Sequence, residues 1–173
     1  MTTALVAKSN KLPDHVKNST GAGNENVDVN HMTIPRLKQL QKMSDQCDKH
    51  HENYIDGAEP GMFLNDLTGE LLGEELYVMN IKFDDQWVVW KKREKGSGYL
   101  GTRSTQAEAQ ALIDEQDRPD DYQADQTHAH YLVILDPETG EMSKPIIFDC
   151  KSSKLRVSRN WNTQINLRGG DRF

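Results

Sequence analysis

The stretch from Trp87 to Gly101, WVVWKKREKGSGYLG, holds the residues of this chain best suited to bind a ligand. Trp87 and Trp90 flank two valines in a run that favours a strand, and a glycine-rich turn further on leads to Tyr99. Between the strand and the turn stand four cations: Lys91, Lys92, Arg93 and Lys95. Aromatic rings stack on nucleic-acid bases and cations neutralise phosphates, so this composition predicts contact with single strands.

Two structural interpretations compete with that prediction. Tryptophans are also common in cores, and charged side chains at a strand end are usually exposed for solubility alone. Successive residues of a strand face opposite sides, so Trp87 and Trp90 lie on opposite faces. We therefore expect one tryptophan to pack in the core and Trp90, beside the cations, to face a ligand.

A second group of candidate nucleic-acid contacts lies in residues 152–165: Lys154, Arg156, Arg159 and Trp161. This segment alternates like a strand but begins with serines that suit a helix cap, and we favour the helix. In a helix, Arg156 and Arg159 occupy neighbouring positions of one face. They form either a phosphate-binding pair or an ordinary solvated face.

Other constellations give little basis for catalysis or metal binding. His128 and His130 share one face of a predicted strand, but no Cys-x-x-Cys or His-x-x-x-His spacing supports a metal site. The Asp-Asp pairs at 84–85 and 120–121 are more typical of turns than of magnesium ligands. No Walker loop, nucleophile elbow or His-Glu-x-x-His motif occurs. We expect no catalysis, no cofactor and no metal.

Composition limits the class of protein. The 173 residues suit one domain, and 35% hydrophobic against 28% charged residues predict a modest core with disordered ends. The net charge of −6 argues against nucleic-acid binding through bulk charge, but the charge is uneven, with residues 87–103 basic, 105–126 acidic and 144–173 basic. Two cysteines without a spacing pattern favour a reduced, intracellular setting, and no apolar run suits a secretion signal or a membrane span.

Short strands separated by turn signals dominate the middle of the chain. We expect strands at 62–65, 75–83, 86–93, 130–136 and 145–150, with a hairpin turn at Asp84-Asp85 and a second hairpin turn at 137–140. These elements predict a mainly β, α+β fold. It is an antiparallel sheet or a partly open barrel of the oligonucleotide-binding type.

One or two helices accompany the strands. Residues 34–49 have apolar side chains at helical spacing and predict a short amphipathic helix, with an extended start at 33–37 as the alternative. Thr105 and Glu108 form a capping box that predicts a helix from residue 106 to 115. The acidic residues 114–125 are expected to form a loop that binds a basic partner, covers the basic groove or is simply solvated.

The N-terminal residues differ from the rest of the chain. Residues 1–30 lack sustained periodicity and predict a flexible N-terminal arm, and residues 31–173 predict a single antiparallel β-rich domain.

Five segments of the chain are distinctive: IPRLKQLQKMSD at 34–45, YIDGAEPG at 54–61, NDLTGE at 65–70, Val89-Trp90 before a glycine-rich turn, and KLRVSRNWN at 154–162. Through these five segments the chain resembles, over residues 33–173, a family of tailed-bacteriophage replication-region proteins. Some members are regarded as single-stranded DNA-binding proteins, which is the function the resemblance implies. Members continue with further strands, so we expect a chain that ends at Phe173 to be shorter than the family and its barrel to be open.

The leading prediction is a phage protein that coats single-stranded DNA during replication or recombination in the host cytoplasm. The candidate contacts are Trp90, Lys91, Lys92, Arg93, Lys95, Tyr99, Lys154, Arg156, Arg159 and Trp161. Phage replication proteins are candidate partners of the acidic loop 114–125. The alternative is a phage structural or assembly protein whose charged segments contact other subunits.

Overall fold

The computed structural model describes residues 32–168. The chain divides into two compact units, Met1–Thr33 and Ile34–Phe173, and every element below belongs to the second unit. The flexible arm predicted for residues 1–30 lies outside the described residues.

Within residues 32–168 the chain forms seven strands and two α-helices. In chain order they are β1 (Leu37–Gln39), β2 (Phe63–Asn65), β3 (Leu71–Gly73), β4 (Tyr77–Lys91), β5 (Gly98–Arg103), α1 (Gln106–Asp114), β6 (Tyr122–Leu135), β7 (Ile146–Lys151) and α2 (Lys154–Leu167). Single 3-10 turns lie at Asp45–Cys47, Arg93–Lys95 and Pro119–Asp121.

The strands form two antiparallel sheets, one with the order β5-β4-β6-β7 and a smaller one with the order β1-β2-β3. Neither sheet closes on itself among the described strands. A parallel bridge from Arg36 to Ile147 links the start of β1 to β7, and the Ile147 N–H donates to the Pro35 carbonyl at 2.9 Å. The prediction of a mainly β, partly open α+β fold is confirmed, while the oligonucleotide-binding topology stays a prediction.

The strand β4 passes straight through Asp84 and Asp85, so the hairpin turn predicted there is wrong. Both aspartates pair with residues of β6, and both carboxylates have side-chain partners within the sheet. Lys82 Nζ lies 2.7 Å from Asp84 Oδ2, and the Gln126 amide donates to Asp85 at 3.0 and 3.1 Å. The hairpin partner of β4 is β5, after the 3-10 turn and the glycines.

Residues 34–49 do not form the predicted helix, because two leucines are buried in different places. Leu37 packs with Leu132 of the larger sheet, whereas Leu40 packs with Leu64 in a separate cluster of the smaller sheet. A helix would hold residues three apart on one side, but an extended segment directs them to opposite sides. Tertiary burial therefore overrides the helical spacing.

The pairing of β4 with β6 defines two faces of the larger sheet. From Lys82 to Lys91 the register is unbroken, so odd-numbered residues of β4 and even-numbered residues of β6 share one face. On that face Trp87 and Val89 pack against Ala109 and Ile113 of α1. We call it the helix face.

The second helix also lies on the helix face. Ser158 of α2 contacts His128 and His130, which are even-numbered residues of β6. The predicted helix over 152–165 is therefore confirmed as α2. The capping box at Thr105 and Glu108 is confirmed as well, with both of its hydrogen bonds present. The opposite face, which carries Gln86, Val88 and Trp90, is called the groove face.

Trp87→Ala should lower the free energy of unfolding by about 3 kcal/mol, because it removes a large half-buried side chain from beneath α1. Denaturant melts measure the change. Tyr99→Ala is the control, since Tyr99 is 61% exposed, and it should cost less than about 1 kcal/mol. Equal losses in the two variants would show that Trp87 is not part of the core.

Candidate nucleic-acid interface

Two aromatic side chains from adjacent strands lie together on the groove face. Trp90 of β4 pairs with Tyr99 of β5, after an irregularity in the register. Their ring centroids are 5.5 Å apart and the rings meet edge to face at 64°. Tyr99 is 61% exposed, so its ring is available to a ligand.

Two grooves adjoin Trp90, with volumes of about 480 and about 370 Å³. The larger is lined by Trp90, Lys91, Lys92, Arg93, Ser97, Gly98, Gln123, Asp125 and Lys151. The smaller is lined by Arg36, Gln86, Val88, Trp90, Tyr99, Thr102, Asp149 and Lys151. The two grooves are therefore lined by five cationic residues and only two acidic ones, although the whole chain has a net charge of −6.

Part of the acidic segment lies directly beside the basic run. Lys92 Nζ donates to the Asp120 carbonyl at 2.7 Å, and Lys95 Nζ lies 3.8 Å from Asp121 Oδ1. β6 begins at Tyr122, so the loop predicted to reach residue 125 is wrong for its last four residues. These residues are strand because they pair with the end of β4.

The candidate residues of α2 lie on the helix face, away from the grooves. Lys154 Nζ lies 5.3 Å from the ring centroid of Phe148, and Arg159 donates to the Gln126 amide oxygen at 3.4 Å. Trp161 packs on His130 with ring centroids 4.6 Å apart. The exposed Arg156 belongs to the same helix. The structure thus brings together the candidates of β4 and β5, and it does not bring those of α2 to them.

Three further residues of the groove face were not among those predicted from the sequence: Lys151 and Asp149 of β7, and Arg36, the residue before β1. Lys151 Nζ lies 4.4 Å above the ring of Trp90, and Arg36 forms an ion pair with Asp149. The signal available in the sequence was the period of two along β7, where Asp149 and Lys151 alternate with Cys150. That pattern places the two charges on one face, but it does not say which strand lies beside them.

The family model described as Pam3 phage gp34-like protein matches residues 6–173. The chain belongs to this family. It is therefore a phage protein, as the resemblance predicted, while the likeness to single-stranded DNA-binding proteins stays a prediction. No curated protein and no solved structure matches it.

In this phage protein a buried polar cluster lies under α2. Ser158 Oγ lies 2.7 Å from His128 Nδ1 and 2.7 Å from His130 Nε2. With the Asn80 amide turned so that its oxygen accepts from His130 Nδ1 at 3.3 Å, its nitrogen donates to two backbone carbonyls. His130 Nε2 then accepts the Ser158 hydroxyl proton, and His128 Nδ1–H donates to Ser158 Oγ. Ser158, His128 and His130 are all buried, so the cluster holds α2 to the sheet rather than facing a substrate.

Two further findings concern the part of the chain that the structure describes. No group of three or more His, Cys, Asp or Glu side chains there is arranged to hold a metal ion. No helix there is both long enough and apolar enough to span a membrane.

The stability of the protein should fall below neutral pH because of His130. Burial, and then repulsion from His128, lower the pKa of His130 from 6.5 to about 4. The unfolded chain therefore takes up this proton at a higher pH than the folded chain, so stability present above pH 6.5 is lost as the pH falls towards 4. From about pH 7.5 to about pH 5 the free energy of unfolding should drop by about 2 kcal/mol from this group.

Denaturant melts across that pH range measure the effect. His130→Gln should be less stable at pH 7.5 but should show a flatter pH profile. His50→Gln is the matched control at an exposed histidine, and its profile should follow that of the unsubstituted protein. A steep profile that persists in His130→Gln would contradict the assignment.

Proposed function

We propose that this phage protein binds single-stranded DNA along the two grooves of the groove face, without catalysis, during replication or recombination in the host cytoplasm. The observation that carries the proposal is the Trp90–Tyr99 pair set among five cations. Aromatic rings and positive charge are the two components that sequence-tolerant single-strand binding requires.

The aromatic pair supports stacking of unpaired bases. Stacking on an aromatic side chain is worth about 1–3 kcal/mol per base. Tyr99 projects from an edge strand and is mostly exposed, whereas Trp90 forms part of the wall shared by both grooves. In a duplex the bases already stack on one another, so these rings favour single strands.

The position of the charges supports a backbone that follows the grooves. Lys91, Lys92 and Arg93 line the larger groove, Arg36 lines the smaller one, and Trp90 and Lys151 line both. A strand that follows the two grooves past Trp90 would meet cations in each of them. The residues of α2 are not needed for this path.

A structural or assembly role in the phage particle is the second candidate. It is favoured by apolar side chains exposed on the first half of β4, where Tyr77 is 64% and Ile81 50% exposed. Such residues suit contacts between subunits. Incorporation into particles by a protein that binds no DNA would favour this role.

Binding should weaken as salt rises, because each phosphate neutralised on a single strand contributes about −0.7 to the slope of log affinity against log salt. If three to five cations each bind a phosphate, the slope should be about −2 to −3.5. Fluorescence anisotropy with a labelled single-stranded oligonucleotide of about 20 residues, at several salt concentrations, measures it. A duplex of the same length serves as the comparison and should bind more weakly. Equal binding to both, or a slope near zero, would contradict the proposal.

Tyr99→Ala should weaken single-strand binding by about 1–3 kcal/mol through the loss of one stacked base. Tyr77→Ala is the matched control, since Tyr77 is a similarly exposed tyrosine at the far end of β4. It should leave the affinity unchanged in the same anisotropy titration. If the two variants lose affinity equally, the aromatic pair is not the binding surface.

A further inference from the structure

Lys151 is held over an aromatic ring between the two grooves. It is the last residue of β7, it lines both grooves, and its Nζ lies 4.4 Å from the centroid of the Trp90 ring. A cation over the face of a tryptophan is attracted by the ring, but the ring carries no net charge that neutralises it.

The positive charge of Lys151 has no ion-pair partner in residues 32–168. Asp149, two residues earlier on the same face of β7, is engaged by Arg36. Burial lowers the pKa of Lys151 below its usual value, Asp125 opposes this shift, and Arg36 adds to it. The side chain is therefore a partly desolvated cation that an anion would stabilise.

Three of the other cations near the grooves are already engaged. Lys92 binds the Asp120 carbonyl, Lys95 lies near Asp121, and Arg36 pairs with Asp149. An ion pair made in a partly desolvated groove is stronger than one made at an exposed surface. Lys91 and Arg93 also have no ion-pair partner in residues 32–168, and Lys151 differs from them because it is partly desolvated and lies over the Trp90 ring.

We propose that Lys151 is the anchor for a phosphate of the bound strand, and that it leaves the face of Trp90 to make this contact, which frees the ring for a base. The inference rests on the proposed function and adds to it a residue and a rearrangement. The flexible four-carbon stem of lysine allows the ammonium to move from ring to phosphate while its backbone stays paired in β7.

The test uses three variants and two probes. Lys151→Met keeps the length of the side chain and removes the charge, and Lys151→Arg keeps the charge. Lys154→Met is the matched control, because Lys154 also lies over an aromatic ring, that of Phe148, but on the helix face. The probes are a labelled oligothymidylate and an abasic phosphodiester of the same length, each titrated by anisotropy at several salt concentrations.

Lys151→Met should bind both probes at least about tenfold more weakly, with a salt slope smaller by about 0.7, as expected for one lost phosphate contact. Lys151→Arg should restore the slope, and Lys154→Met should bind within about twofold of the unsubstituted protein. Thermal melts should show that Lys151→Met remains folded, because methionine fills the same space without a desolvated charge.

Each other outcome overturns the inference. Tighter binding of oligothymidylate by Lys151→Met would mean that the lysine only blocks the ring. If Lys151→Met lost affinity for oligothymidylate only, Lys151 would support base stacking and would not bind a phosphate. If Lys154→Met lost as much affinity as Lys151→Met, the effect of Lys151 would come from net charge alone. Unchanged binding by Lys151→Met would remove the inference and leave the proposed function standing, whereas failure of the unsubstituted protein to bind either probe would overturn both.

Discussion

The long pairing of β4 with β6 is the constraint on which the rest of the structure depends. Its register is unbroken from Lys82 to Lys91, so the side chains from Lys82 to Trp90 are assigned to one face by the parity of their numbers, and Lys91, at the strand end, lines the larger groove. One face is covered by both helices and contains the buried cluster around Ser158. The other presents Trp90 among charged groups. A slip of one residue would exchange these two sets, turning Gln86 towards α1 and moving Val89 to the groove face.

Charge is distributed so that an acidic protein retains a basic surface. The acidic segment after α1 returns to the end of β4, where Asp120 and Asp121 engage Lys92 and Lys95. The ion pair of Lys95 with Asp121 offsets one charge of the basic run, and Lys91, Lys92 and Arg93 still line the larger groove. Net charge alone is therefore a poor guide to what this chain binds, because the relevant charges act over a Debye length of about 10 Å.

Sequence patterns within a single helix or strand gave correct predictions, because interactions between near neighbours in the chain determine those features. The capping box located α1, and the period of two placed Trp87 and Trp90 on opposite faces, as the structure shows. The errors have non-local causes. Asp84-Asp85 lies in a strand because Lys82 pairs with one carboxylate and the Gln126 amide donates to the other. Residues 34–49 are not helical because two separate cores bury Leu37 and Leu40. Lys151 was missed because only the order of strands brings β7 to the side of Trp90.

The bridge between Pro35 and Ile147 bears on how the larger sheet meets other chains. It occupies backbone groups on the outer side of β7, where an added strand would have to bind. At the opposite edge of the larger sheet, the strand order leaves the outer side of β5 without a paired strand among the described residues. Because β5 is also the strand that carries Tyr99, an extension there would lengthen the same surface on which the aromatic pair stands.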